Sequence, residues 1–191
     1  IGRNGDVAVR DESRLRARVD VLARASALGA DAELAAARWL LWQIAVELGA
    51  IPASINDLYM ARGREEVPVG FTVPAMNLRA LAYDAARAVF RAALAGDAAA
   101  LIFEIARSEC VYTDQRPAEY TASVLAAAIK EGYRGPVFVQ GDHFQVNAKK
   151  YGADPDGELG AVMDITREAI AAGFYNIDVD TSTLVDLDLP T

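Results

Sequence analysis

Beyond Pro68 the chain alternates short apolar runs with helix-patterned stretches, and that rhythm leaves few folds open. Runs with strand character cover 71–76, 99–105, 136–140 and 175–180, with helical stretches at 78–95, 117–131 and 157–172 between them. A strand–helix repeat of roughly 30 to 40 residues builds a parallel sheet, either doubly wound or closed into a barrel. The runs lack clean alternation, as expected of strands covered by helices. No Gly-x-Gly-x-x-Gly follows the first run and no phosphate-cradling P-loop is present, which disfavours a dinucleotide site. The runs share a polar group just past each C-terminal end: Asn77, then Arg107-Ser108-Glu109, Gly141-Asp142-His143, and Asp180-Thr181-Ser182. In a (β/α)8 barrel the chemistry sits on that rim. The expected fold is therefore α/β, the first half of a (β/α)8 TIM barrel. Four strand–helix units fall short of the ~250 residues such a barrel typically needs, so the chain is expected to be the N-terminal fragment of a longer one.

Residues 1–66 read differently, as an all-helical N-terminal segment with a cap or assembly role, ahead of the barrel units at 67–191. Leu15, Val19, Leu22 and Ala23 form a helical stripe, Gly29 suits a stop, and Asp31 is placed to cap a second helix that ends at Gly49. A short third helix is expected from Ser54 or Asn56 to Gly63. Trp39 and Trp42, three apart, read as core or interface anchors, and Arg14, Arg16, Arg18 and Arg24 as a solvated or subunit-contact face. A formal charge of −8 argues against a nucleic-acid binder. No stretch approaches the ~20 apolar residues of a membrane span, and the one cysteine, Cys110, builds no internal disulfide. A cytoplasmic protein without nucleic-acid or membrane partners is expected.

The strongest local signal is 139–150, where Asp142 and His143 stand side by side at a strand end, ahead of Lys149 and Lys150. A neutral imidazole is a ready ligand for a divalent metal. The adjacent carboxylate would then move protons at an oxygen the metal holds. A loop histidine that is simply hydrogen-bonded fits the same residues. Arg107 has two readings as well: a phosphate contact, or a salt bridge to Glu104 or Glu109. With a single histidine in the chain, one copy does not furnish a three-histidine zinc site.

The turn Phe71-Thr-Val-Pro-Ala-Met-Asn77, the Gly-Asp-His143 loop with Ala148-Lys-Lys150, and Ile177-Asp-Val-Asp180 together resemble class II, zinc-dependent fructose-bisphosphate aldolases, in the family's order over roughly residues 68 to 191. The resemblance implies that His143 is the first zinc ligand and Asp142 the acid/base at the C4 hydroxyl. It places Asn77 on the bound substrate, and Asp178 and Asp180 as supporting residues or a second metal position. The remaining zinc ligands, normally two histidines from later strands, are expected beyond residue 191. Where the family often carries a glutamate after the fourth strand, this chain has Thr181 or Ser182.

The implied function is cleavage and formation of a ketose bisphosphate, fructose 1,6-bisphosphate or tagatose 1,6-bisphosphate. Zinc would polarise dihydroxyacetone phosphate and stabilise its enediolate. The full-length parent would be the carbon–carbon lyase of glycolysis or related carbohydrate metabolism, and this fragment alone inactive. The expected partners are a phosphorylated sugar and further copies of the chain in a homo-oligomer. Two other readings stand beside it: another metal-dependent sugar-phosphate barrel enzyme, and a non-catalytic relative with an assembly role.

Overall fold

The computed structural model describes residue 2, residues 6–98 and residues 100–186. Ala99, where the second strand run is expected to begin, and residues 187–191 lie outside them. The described residues form a mixed α/β fold of eight α-helices and one parallel five-stranded sheet. Its strands are β1 (Ala50–Ala53), β2 (Ala75–Asn77), β3 (Ile102–Ala106), β4 (Gly135–Asp142) and β5 (Asn176–Ile177). β2 pairs with β3 and β3 with β4, all parallel. The other edge of β4 is divided: β1 lies along its first half, from Gly135 to Phe138, and β5 along Gln140 and Gly141. Asn176 joins the two short strands, its Oδ1 accepting from Ser54 Oγ and the Ile55 N–H.

Sequence signals account for most helix ends. Asp11 caps α1 (Glu12–Leu28) by accepting from the Arg14 N–H, and Asp154 caps α8 (Pro155–Ala171) through Gly157 N–H. Pro117 opens α6 (Pro117–Glu131), and Gly132, at φ 74°, closes it. α2 (Asp31–Glu47) departs from expectation: Asp31 is its first helical residue rather than its cap, and its charge joins that of Glu33 in the first turn. The remaining helices are α3 (Asn56–Gly63), α4 (Ala82–Ala95), α5 (Arg107–Tyr112) and α7 (Ala148–Ala153).

Residues 1–66 are not all helical, because β1 belongs to the sheet. Nor do their helices stand apart from the rest: Val19 of α1 and Leu41 of α2 are buried in the same core as Phe103 and Val139. Helix α6 is the centre of that core. Its alanine-rich sequence, buried from Tyr120 to Ile129, lets α1, α2, α4 and α8 all approach it. Phe103, Ile105, Val137 and Val139 face these helices, and Phe90 stacks its ring 4.9 Å from Phe103 and 4.7 Å from Tyr133. The opposite face carries a smaller apolar cluster of Ile55, Ala100, Ile102 and Phe138.

Two strands are shorter than their apolar runs. Only Ala75–Asn77 of the first pairs, although the Pro74 carbonyl still accepts from Ile102 N–H. Of 175–180 only Asn176–Ile177 is regular strand. Among the described residues no helix is long and apolar enough to cross a membrane. Phe103 is fully buried between sheet and helices, so Phe103→Ala should lower stability by about 3–5 kcal/mol, read as an earlier urea midpoint with an unchanged slope.

Candidate metal centre

The site begins where β4 runs out. Past its last regular residues the chain keeps a parallel partner: Asp178 N–H donates to Gly141 O, Phe144 N–H to Asp178 O, and Val146 N–H to Asp180 O, at 2.8, 2.8 and 2.9 Å. This ladder holds 142–146 beside 178–180 and so brings four titratable side chains to one end of the sheet. Gly141 is required there for space, since a Cβ would sit 2.6 Å from the ring of Phe144, which is fully buried. With Phe144 turned inward, His143 adopts the left-handed region at φ 48° and stands on the rim, its side chain 61% exposed.

Around His143 the carboxylates are close. Nδ1 lies 3.2 Å from Asp180 Oδ2 and 3.5 Å from Asp178 Oδ2, while Nε2 lies 3.7 Å from Asp142 Oδ1. The charge of Asp142, followed by the hydrogen bond to Asp180, raises the imidazole pKa above its ordinary value. Asp180 is held well down, to about 2, by hydrogen bonds from Ser182, with Gln145 and His143 adding to the effect. Asp142, His143 and Asp178 each offer one ligand atom, all within 4.8 Å of one another. Asp180 completes the arrangement: when His143 donates Nδ1–H to it, Nε2 is left as the metal-binding nitrogen. One imidazole with two carboxylates is a donor set that zinc accepts, and its oxygen content also suits harder divalent cations.

The other expected residues fall elsewhere. Asn77 ends β2, two strands from β4 and so about 10 Å away. Its Nδ2 donates to Glu109 Oε2 at 2.7 Å and its Oδ1 accepts from Arg79 Nε. Arg107 pairs neither with Glu104 nor with Glu109. Its guanidinium grips Glu158 on α8 at 2.5 Å and the Gln145 carbonyl at 2.8 Å, and Glu158 also accepts from Asn147 N–H. Arg107 is therefore a clamp that fastens loop 145–147 to α8, not a free arm for phosphate. It lines a cleft of about 460 Å³ beside the rim with Ser108, His143, Asn147 and Lys150.

Two residues escaped sequence reasoning as part of the site's support. Glu109, buried in α5, accepts from Ala106 N–H and Asn77 and pairs with Arg79 at 3.1 Å. Gln145 donates to Asp180 at 2.5 Å. The pattern Arg107-Ser108-Glu109 after a strand was visible, but the partners were not. Cys110, by contrast, is fully buried with its thiol pKa pushed up to about 11, in keeping with a structural role.

In comparisons with known proteins, no family model, curated protein or solved structure matches the chain.

Two measurements test that geometry. In the metal-free protein, the His143 ring protons should titrate above the ordinary histidine pKa of about 6.5, and Asp142→Asn should bring the midpoint down. The proton competes for the same nitrogen, so metal affinity should climb as pH rises through that midpoint and level off above it. Gly141→Ala, which removes no ligand atom, should displace Phe144 and weaken metal binding by about 10-fold or more, the scale of lost orienting contacts. Equilibrium dialysis against zinc reads both effects.

Proposed function

We propose that the chain supplies the N-terminal half of a (β/α)8 barrel in a zinc-dependent aldolase acting on ketose bisphosphates, with fructose 1,6-bisphosphate and tagatose 1,6-bisphosphate as leading substrates. The observation that carries this reading is the convergence of Asp142, His143 and Asp178, ligand atoms within 4.8 Å, at the C-terminal ends of adjacent parallel strands. The order of β2, β3, β4 and β5 in the sheet supports it, since each joins the next in chain order, as successive barrel strands do. The resemblance in the Asp-His and Ile-Asp strand ends adds to it.

The residues divide the work by position. His143 would hold the metal through Nε2, with Asp180 fixing its ring and Asp142 or Asp178 supplying oxygen. Zinc, when bound, supplies positive charge where negative charge develops on a carbonyl oxygen. Asp142, partly exposed beside His143, would take and return the proton of a substrate hydroxyl during carbon–carbon cleavage and formation. Asn77, oriented by Glu109 and Arg79, retains one amide hydrogen for a substrate oxygen. Two further zinc ligands and the carboxylate that removes the C1 proton belong to the longer parent chain this reading requires.

The excess of carboxylate over imidazole around the rim favours a second reading, a sugar-phosphate enzyme of the same architecture that uses magnesium or manganese. Metal analysis and product analysis on the parent chain separate the two. The aldolase reading expects about one tightly held zinc and triose phosphates from fructose 1,6-bisphosphate. It expects Asp142→Ala to lower turnover by ~10²–10⁴-fold, the range for a lost general acid/base. Zinc without triose products, or activity indifferent to Asp142, would overturn it.

A further inference from the structure

A row of side chains on the sheet face opposite the main core is unclaimed by the metal centre. Asn77, Glu104, Gln140 and Asn176 stand in register across β2, β3, β4 and β5. Strand alternation turns Glu104 to the side of Ile102, and Gln140 to the side of Phe138, opposite the helix-facing Phe103 and Val139. That face is layered: Ile102 and Phe138 below, buried under Ile55, Leu58 and Val73, the polar row in the middle, and Asp142, two residues on from Gln140, at the rim.

The ends of the row are held by protein, although the buried Nδ2 of Asn176 has no partner among the described residues. Asn77 is held by Glu109 and Arg79, and the Oδ1 of Asn176 by Ser54 and Ile55. Glu104 is different. Among the described residues its carboxyl has one hydrogen-bond partner, Gln140 Nε2 at 3.1 Å, and no cation pairs with it. The nearby guanidinium groups are engaged elsewhere, Arg79 with Glu109 and Arg107 with Glu158. A carboxyl accepts up to about four hydrogen bonds, so Glu104, half-buried, keeps capacity for a further partner. Its backbone is held in place, because its carbonyl accepts from both Tyr120 Oη and Leu78 N–H. Burial and the charge of Asp142 both raise its pKa, and His143 acts on it in the opposite sense, so the group shares the electrostatics of the rim.

We propose that Glu104 is a substrate-positioning residue: oriented by Gln140, its carboxyl binds a hydroxyl of a polyol chain laid over the sheet between Asp142 and the apolar layer. This inference rests on the sugar-phosphate reading of the rim and adds to it the residue that recognises the carbon chain rather than the phosphate or the metal. A hydroxyl both donates and accepts, so it matches the carboxyl in either protonation state.

The test uses the zinc-loaded parent chain with two probes, dihydroxyacetone phosphate, which carries a free hydroxyl, and inorganic phosphate, which does not. Calorimetric titration should show Glu104→Ala binding dihydroxyacetone phosphate ~10–100-fold more weakly, the worth of one hydrogen bond to a charged group. Zinc content and inorganic phosphate affinity should stay unchanged. Glu104→Gln, which keeps a neutral hydrogen-bonding group in the same place, should recover part of the loss. In the wild-type protein the Gln140 side-chain amide resonances should move on adding dihydroxyacetone phosphate and stay still with phosphate, a readout that needs no variant to fold. Equal weakening for both probes, or still Gln140 resonances with dihydroxyacetone phosphate bound, would overturn the positioning role alone. Absence of any dihydroxyacetone phosphate binding by the wild-type protein would overturn the sugar-phosphate reading, and this inference with it.

Discussion

Strand β4 carries the structure, because its backbone is hydrogen-bonded to three other strands. β3 occupies one edge, and β1 and β5 share the other. One side of its pleat sends Val137 and Val139 into the main core, and the other turns Phe138 into the smaller apolar cluster and Gln140 towards Glu104. Its final residue is Asp142, and the ladder that carries on past it sets His143 against 178–180. A strand anchored on both edges has little freedom to twist or fray. The side chains at its end inherit that rigidity, which a loop of the same sequence would lack.

The electrostatics of the rim follow from this placement. Three aspartates crowd one histidine in a chain that is already acidic overall. Such crowding is unfavourable unless positive charge is present, and the imidazolium supplies part of it, which is why the His143 pKa rises. Asp180 is the exception among the acids: Ser182 and Gln145 hold its charge in place by hydrogen bonds. A carboxylate fixed in this way suits orienting a ring better than exchanging protons. Among the described residues Asp142 makes no such bonds and is the freer group of the two.

Much of this architecture was legible in the sequence, and what was hidden has physical reasons. Helices α4, α6 and α8 announce themselves through Pro, Gly and Asp at their ends and through their apolar spacing. β1 does not: Ala50-Ile-Pro-Ala53 is four residues long, holds a proline, and lies between a helix stop and a turn. Pro52 is tolerated because, among the described residues, β1 pairs with β4 alone. The pairing of Asp142 and His143 with Asp178 followed from two strand ends recognised separately. Register between strands leaves no mark on a single sequence, so the alignment of Asn77, Glu104, Gln140 and Asn176 was invisible, as was the reach of Arg107 to Glu158 across 51 residues. Arg107 near Glu104 and Glu109 in the chain suggested a local pair, and tertiary packing overrode it.

The divided edge of β4 has a consequence for how the protein finds its native state. β1 and β5 draw on one row of donors and acceptors, so any length gained by β1 is lost to β5. A slide of β1 by two residues keeps its inward and outward faces matched, so strand alternation alone does not forbid it. It would nonetheless set Ala53 opposite Gln140, where Asn176 belongs. The bonds from Ser54 and Ile55 to Asn176 act as a stop that fixes the boundary between the two strands. The strand that ends in the aspartate cluster thus shares one edge between β5 and a segment, β1, that contributes no ligand to it.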